Sequence, residues 1–319
     1  MSLISACASA RPTVVAHRGA SGYLPEHSLA AVAAAHIMNV DYIEQDVVLS
    51  KDGVPVVLHD IHLESTTNVE QVFPNRSRED GRFYALDFDL AELKQLTLHE
   101  RQTKEGSAVF GSRFPVGDTP FRIPTLQEEI DLIQGMNTSR GTEIGLYIEL
   151  KKPRFHLDSG YKIDEVVLKT LSENQLDKKD SKVILQCFDS ETTQRLRKMT
   201  ELTLIQLVGL NAWRESSTDY EKMMTLEGLE EVARYADGIG PYIGFFVDEN
   251  GNAKNKALIE KAKSLGLEVH GYTFRADQFP DQFGSFAEFI AFFDKDIGIT
   301  GYFSDHPDQA LRALERPSK

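Results

Sequence analysis

The stretch Thr13-Val14-Val15-Ala16-His17-Arg18-Gly19-Ala20-Ser21-Gly22 decides the fold. Its first four residues form a short apolar, β-branched run with the composition of a buried strand. A strand opening a nucleotide-binding sheet would lead into closely spaced glycines, as in G-x-G-x-x-G or G-x-x-x-x-G-K-[ST]. Here a charged pair comes first, and Gly19 and Gly22 meet neither spacing. An open doubly wound sheet is therefore disfavoured. The stretch reads as a strand that delivers His17 and Arg18 to its C-terminal end.

The same rhythm recurs along the chain. Strands are predicted at Thr13–His17, Tyr42–Leu49, Val54–His59, Gly145–Leu150, Lys182–Phe188, Leu202–Val208, Asp237–Ile243, Leu267–Phe274 and Ile299–Ser304. Helical spacing of apolar residues marks Ser28–Met38, Ile163–Glu173, Ser190–Met199, Leu226–Ala236, Asn255–Leu265 and Pro307–Leu314. Strand and helix alternating this often imply a mostly parallel sheet. The expected class is α/β, a TIM-type (β/α)8 barrel with an inserted small subdomain. The ninth strand is explained by Leu49-Ser50-Lys51-Asp52-Gly53-Val54, which reads as a hairpin turn whose second arm is accessory.

Residues 61–124 break the rhythm and read as the insertion, within a single barrel domain spanning 11–319. Their Arg76, Arg78, Arg82, Arg101 and Arg113 are expected to form a solvated face. Residues 1–10 are small and mildly apolar, and read as a tail or signal remnant. Within them Ile4-Ser5-Ala6-Cys7 has the look of a lipobox, which would allow a lipid anchor at Cys7.

The 319 residues are 41% hydrophobic, enough to bury a sizeable core. A formal net charge of -14 argues against broad nucleic-acid binding. No run is long enough to span a membrane. The two cysteines, Cys7 and Cys187, have no metal-ligand spacing, and Cys187 reads as a small buried hydrophobe.

Chemistry-bearing residues gather at the predicted strand ends, which is where barrel enzymes place their sites. His17 and Arg18 end the first strand. Glu44 and Asp46 share one face of the second, and Glu149 and Lys151 share one face of another. Gln186 and Phe188, His270 and Tyr272, and Ser304-Asp305 end three more. Carboxylates in apolar strands are costly to bury unpaired. Either Arg18 and Lys151 neutralise Glu44, Asp46 and Glu149 as structural ion pairs, or a hard divalent cation does; all-oxygen ligation suits calcium or magnesium. His17 and His59 suit acid–base work near neutral pH. The face that His59 shows depends on hairpin register, which a bulge would flip. His27, His36, His62, His99 and His156 read as surface or loop residues. Trp213 and Tyr242 fit pocket lining or packing equally.

These residues resemble a known family. Ala16-His17-Arg18-Gly19-Ala20-Ser21-Gly22-Tyr23-Leu24-Pro25-Glu26-His27-Ser28 is similar to the signature of glycerophosphodiester phosphodiesterases. Glu44-Gln45-Asp46-Val47, Val56-Val57-Leu58-His59-Asp60, Glu149-Leu150-Lys151, Leu185-Gln186-Cys187-Phe188, His270-Gly271-Tyr272-Thr273 and Ser304-Asp305-His306-Pro307 continue the likeness in order. Gly271 stands where related sequences often carry Pro. The insertion most resembles the bacterial periplasmic branch.

The resemblance implies hydrolysis of glycerophosphodiesters to glycerol 3-phosphate and an alcohol, through a cyclic phosphate formed by the substrate's own 2-hydroxyl. It implies His17 and His59 as the acid–base pair and Glu44, Asp46 and Glu149 as metal ligands, with calcium ahead of magnesium. Arg18 and Lys151 would contact phosphate, and Gln186, Phe188 and Tyr272 would line the substrate site. The expected partner is a small-molecule diester, and the expected compartment is the periplasm. A surface-binding module and a lipid-headgroup lyase are the rival classes.

Overall fold

A computed structural model of the chain describes residues 11–314. The lipobox-like reading around Cys7 lies outside the described residues. Nine strands form one sheet: β1 (Thr13–Ala16), β2 (Tyr42–Leu49), β3 (Pro55–Val57), β4 (Gly145–Leu150), β5 (Val183–Cys187), β6 (Thr203–Val208), β7 (Gly238–Pro241), β8 (Glu268–Phe274) and β9 (Gly301–Ser304). All but β3 run parallel, and β1 pairs with both β9 and β2, so the sheet closes into an eight-stranded barrel. β3 lies antiparallel outside the closed ring, on β2.

Alternation along each strand sorts side chains into two apolar layers. Val15, Tyr147, Ile184, Ile205 and Phe303 fill the barrel interior. The larger layer lies between the sheet and the surrounding helices, with Val14, Ile43, Ile148, Leu185 and Val269 facing residues such as Val167, Leu229 and Ile259. The interior layer is a floor, and the polar strand ends stand above it.

The helices begin where the chemistry of their first residues dictates. Ser28 caps Leu29–Ile37 by accepting from Ala31 N–H, and Asp189 does the same for Ser190–Arg197. Gly266 follows Lys256–Ser264 at φ +77, a left-handed position that glycine takes without strain. The fifteen-residue helix Leu126–Arg140 was not read from the sequence. Its apolar stripe is thin, Leu126, Ile130 and Ile133, but Thr125 and Glu128 form a capping box that marks its start. The sequence reading also lacks Phe286–Phe292, because Glu288 is the one polar residue in its Phe-rich run and a single position shows no period.

Between β3 and that long helix the chain is mostly irregular, with two four-residue helical turns, Val69–Val72 and Leu90–Leu93. It has its own apolar cluster: Leu63, Val69, Phe83, Phe88, Leu93, Leu96, Leu98 and Ile123 pack on Val48, Val56 and Leu58. The β2–β3 hairpin is thus the platform on which the segment sits. Among the described residues no helix is long and apolar enough to cross a membrane.

Candidate active site

Register sets the level of the acids. Asp46 is paired with Glu149, and Glu149 with Gln186, across three adjacent strands. Glu44 lies one step deeper on the same face, opposite Tyr147. One oxygen from each of Glu44, Asp46 and Glu149 falls within 4.8 Å of the others, and all three residues are buried. His17, Arg18, Glu44, His59, Glu149, Gln186, Phe188 and Tyr272 line one cavity of about 130 Å³, closed below by Phe303 and Leu207. A larger groove, about 700 Å³, runs over the outer helices around Arg197 and Tyr235, but none of these site residues line it.

The turn after β1 explains how two neighbours serve one site. Arg18 and Gly19 both adopt left-handed φ, +57 and +78. The bend aims the Arg18 N–H at Glu44 Oε2, 3.0 Å away. Its guanidinium gives NH1 to both Glu26 oxygens at 3.1 Å and sets Nε 3.5 Å from Asp46. Gly19 has no substitute here, since a Cβ would stand 2.8 Å from the Ala31 carbonyl carbon.

His59 resolves the register question in an unexpected way. Continued alternation from Val47–Val57 would place it opposite Gln45, on the face away from Asp46. The ladder instead ends when Leu58 N–H bonds the Asp46 carbonyl at 2.9 Å. The chain then leaves β2, and His59 lines the cavity.

Each histidine is held through Nδ1 by a carboxylate: His17 by Asp305 at 2.5 Å, His59 by Asp60 at 2.8 Å. A carboxylate only accepts, so both Nδ1 atoms carry the proton. The pKa of His17 is lowered to about 4, chiefly by burial and then by Arg18, against the pull of Asp305. That of His59 is also lowered to about 4, by burial and then by Arg18 and Lys151, although 29% of its side chain remains exposed.

The acids respond to crowding. Burial and the neighbouring Asp46 raise Glu44 well above its ordinary pKa. Glu149 is pushed up to about 8, by burial first, with Lys151 opposing and Asp46 adding. Burial would raise Asp46 as well, but Lys151, His59 and His27 outweigh it and hold that carboxyl well below the usual range. The protein's own cations, with Lys151 Nζ 2.7 Å from Glu149, therefore compensate the cluster only in part. Asp46 Oδ1 makes no hydrogen bond among the described residues. Three buried oxygen donors, one without a hydrogen bond, fit a hard divalent cation, which would draw all three carboxyls into their charged form.

Several sequence readings need correction. His27 is no surface residue: it is 1% exposed and its Nε2 donates to Asp46 Oδ2 at 2.8 Å. His36, His99 and His156 are buried as well, and His62 is half-buried. A lone histidine in a loop or on a helix carries no periodic signal of burial; here the His27 N–H bonds the Arg18 carbonyl at 3.0 Å and ties the loop to the end of β1. Arg101 and Arg113 are not a solvated face either. Their side chains are 18% and 4% exposed, and each is paired with two carboxylates. Asp305 was noted only as a strand end. Its role as the His17 partner becomes visible when β1 and β9 pair. Trp213 packs edge-on against Tyr242, with 41% of its surface exposed.

A closed parallel barrel with an acid triad, paired cations and two carboxylate-held histidines at its strand ends defines an α/β-barrel hydrolase site. Residues 17–309 match the glycerophosphoryl diester phosphodiesterase family, and the chain belongs to that family. It is 37% identical to a glycerophosphodiester phosphodiesterase of Haemophilus influenzae, over 95% of this chain and 89% of that one. With a glycerophosphodiester phosphodiesterase of Treponema pallidum it shares 31% identity over 99% of this chain and 95% of the other. In fold it is similar to an Oleispira antarctica phosphodiesterase solved in complex with sn-glycerol-3-phosphate, with TM-score 0.63, 23% identity and coverage of 96% and 97%.

Proposed function

We propose that the protein hydrolyses glycerophosphodiesters to glycerol 3-phosphate and an alcohol, with His17 and His59 as the acid–base pair and a divalent cation on Glu44, Asp46 and Glu149. The observation that carries this reading is the pair of carboxylate-held imidazoles lining one small cavity with the acid triad. An Nδ1–H given to a carboxylate leaves Nε2 to exchange protons with a substrate.

In the first half-reaction one imidazole takes the proton of the glycerol 2-hydroxyl as that oxygen attacks phosphorus. The other gives a proton to the departing alkoxide, and a cyclic phosphate remains. In the second half the roles reverse: water attacks phosphorus, the ring opens, and the 2-hydroxyl regains its proton. Burial lowers both imidazoles to about 4 and so favours their neutral form at pH 7, while the negative charge of an arriving diester favours protonation of one of them. Neither serine nor cysteine lines the cavity, which agrees with a nucleophile supplied by the substrate.

Arg18 and Lys151 stabilise charge on the non-bridging oxygens. Gln186, Phe188 and Tyr272 hold the rest of the substrate. The cation, when bound, supplies Lewis-acid polarisation of a phosphoryl oxygen. Three clustered carboxylates suit calcium or magnesium, and the likeness of the insertion to the periplasmic branch favours calcium. The likeness of the insertion to the periplasmic branch supports a periplasmic location, which cell fractionation tests. The small cavity favours deacylated diesters over intact lipids.

The test is glycerol 3-phosphate release from glycerophosphocholine, with chelator and then with calcium or magnesium restored. Release that needs metal supports the reading. A folded protein inactive with every metal, or faster on the diacyl lipid, sinks it.

A further inference from the structure

The carboxylates that hold the two histidines are themselves held, each by an arginine of the inserted segment and Asp305 by Arg275 as well. Asp305 Oδ1 accepts from His17 Nδ1, while its Oδ2 accepts from Arg113 NH2 at 2.7 Å and from Arg275 Nε at 2.8 Å. Asp60 Oδ1 accepts from His59 Nδ1, while its Oδ2 accepts from Arg101 NH1 at 2.6 Å and Ser65 Oγ at 3.1 Å. Arg101 and Arg113 both belong to the irregular segment between β3 and the long helix. Neither is at liberty to grip a substrate phosphate. Arg101 spends Nε and NH2 on Glu26, at 3.0 and 2.6 Å. Arg113 spends Nε and NH2 on Asp277, at 2.8 and 3.1 Å.

We propose that the inserted segment is a positioning device: Arg101 locks Asp60, and Arg113 locks Asp305, so that each fixes the orientation of one catalytic histidine. The proposal rests on the two-histidine reading above. An aspartate bonded to a ring by one oxygen still turns about its broad terminal torsion. A guanidinium planted on the second oxygen, and tied on its other side to Glu26 or Asp277, stops that rotation. The Glu26 anchor also reaches Arg18, so His59, Asp60, Arg101, Glu26 and Arg18 form one continuous chain. Burial would raise both aspartates, but Arg101 with His59, and Arg275 with His17 and Arg113, hold them well below the usual range. They stay charged and keep accepting from Nδ1. Proton transfer is steep in geometry, and a displacement of about 1 Å costs on the order of 10²-fold in rate.

The test compares Arg101→Lys and Arg113→Lys in the metal-loaded full chain. Lysine keeps the charge, but one ammonium cannot span two carboxylates as the planar fork does. Two substrates are used: glycerophosphocholine, whose alkoxide must be protonated, and glycerophospho-p-nitrophenol, whose phenolate leaves unaided. We expect kcat on glycerophosphocholine to fall about 10–100-fold in each variant, with KM and Tm near the parent values. On the p-nitrophenyl ester, single-turnover release of p-nitrophenolate reports the first half-reaction alone; there one variant recovers most of its rate, the one bracing the acid histidine, and the other stays slow. Equal losses on both substrates that track a fall in Tm would mean a merely structural role and overturn the proposal. Parental kcat in both variants, with His17→Ala and His59→Ala inactive, would overturn it while sparing the two-histidine reading. Active histidine variants would overturn that reading, and the proposal with it.

Discussion

His27 Nε2 stands 2.8 Å from Asp46 Oδ2, a hydrogen bond between two side chains each 1% exposed. It secures one oxygen of an acid whose other oxygen has no hydrogen bond among the described residues. An outer partner of this kind orients a metal-binding carboxylate. We expect His27→Ala to weaken divalent-cation binding about 10–100-fold with the barrel intact. Isothermal titration measures it, and an unchanged affinity would show that the bond serves packing alone.

Proton release should accompany metal binding. Glu149, pushed up to about 8 by burial, with Lys151 opposing and Asp46 adding to the rise, is mostly protonated at pH 7 before a cation binds. The cation needs the charged form, so affinity should climb as pH rises toward 8 and level off above it. Calorimetry in buffers of different ionisation enthalpy counts the protons at pH 7. A count of zero would contradict the crowded, partly protonated triad.

The two histidines should matter to turnover far more than to folding. His17→Ala and His59→Ala are each expected to lower kcat by on the order of 10²–10⁴-fold, as loss of a general acid or base does. Circular dichroism should remain that of the parent. Near-normal turnover in either variant removes that residue from its role. Glu44→Gln, by contrast, should show its main effect in a metal titration.

Gly19→Ala is expected to cost stability. The new Cβ would meet the Ala31 carbonyl carbon at 2.8 Å, at a φ of +78 that side chains rarely adopt. Overpacking of this sort destabilises by roughly 1–3 kcal/mol. A thermal melt reads it, and an unchanged Tm would mean that the turn after β1 relaxes without penalty.

Much of this was legible from residue pattern, and the exceptions have physical causes. All nine strands were located, because a buried strand is a short apolar run bounded by polar residues. Helix Ile163–Glu173 matched to the residue, since Val167 and Leu171 repeat at helical spacing. Glu44, Asp46 and Glu149 stood out as acids in apolar surroundings. Their convergence follows from parallel register, which strand sequences do not state but barrel closure imposes. The segment 61–124 was opaque for the opposite reason. Its order comes from an apolar cluster scattered over irregular chain and from arginine–carboxylate pairs between distant residues, such as Arg113 with Asp305, and neither leaves a local period. His27 was hidden the same way, in a loop whose burial is decided by what folds over it.

His17 and Asp305 sit 288 positions apart, near the two ends of the described chain. A ribosome delivers the first long before the second, and domains take shape during synthesis. Until β9 emerges and docks on β1, the His17 imidazole lacks the carboxylate that orients it and the ring of strands has no last stave. A chain cut short of β9 keeps the strands that carry Glu44, Asp46 and Glu149, yet can neither orient His17 nor close the barrel.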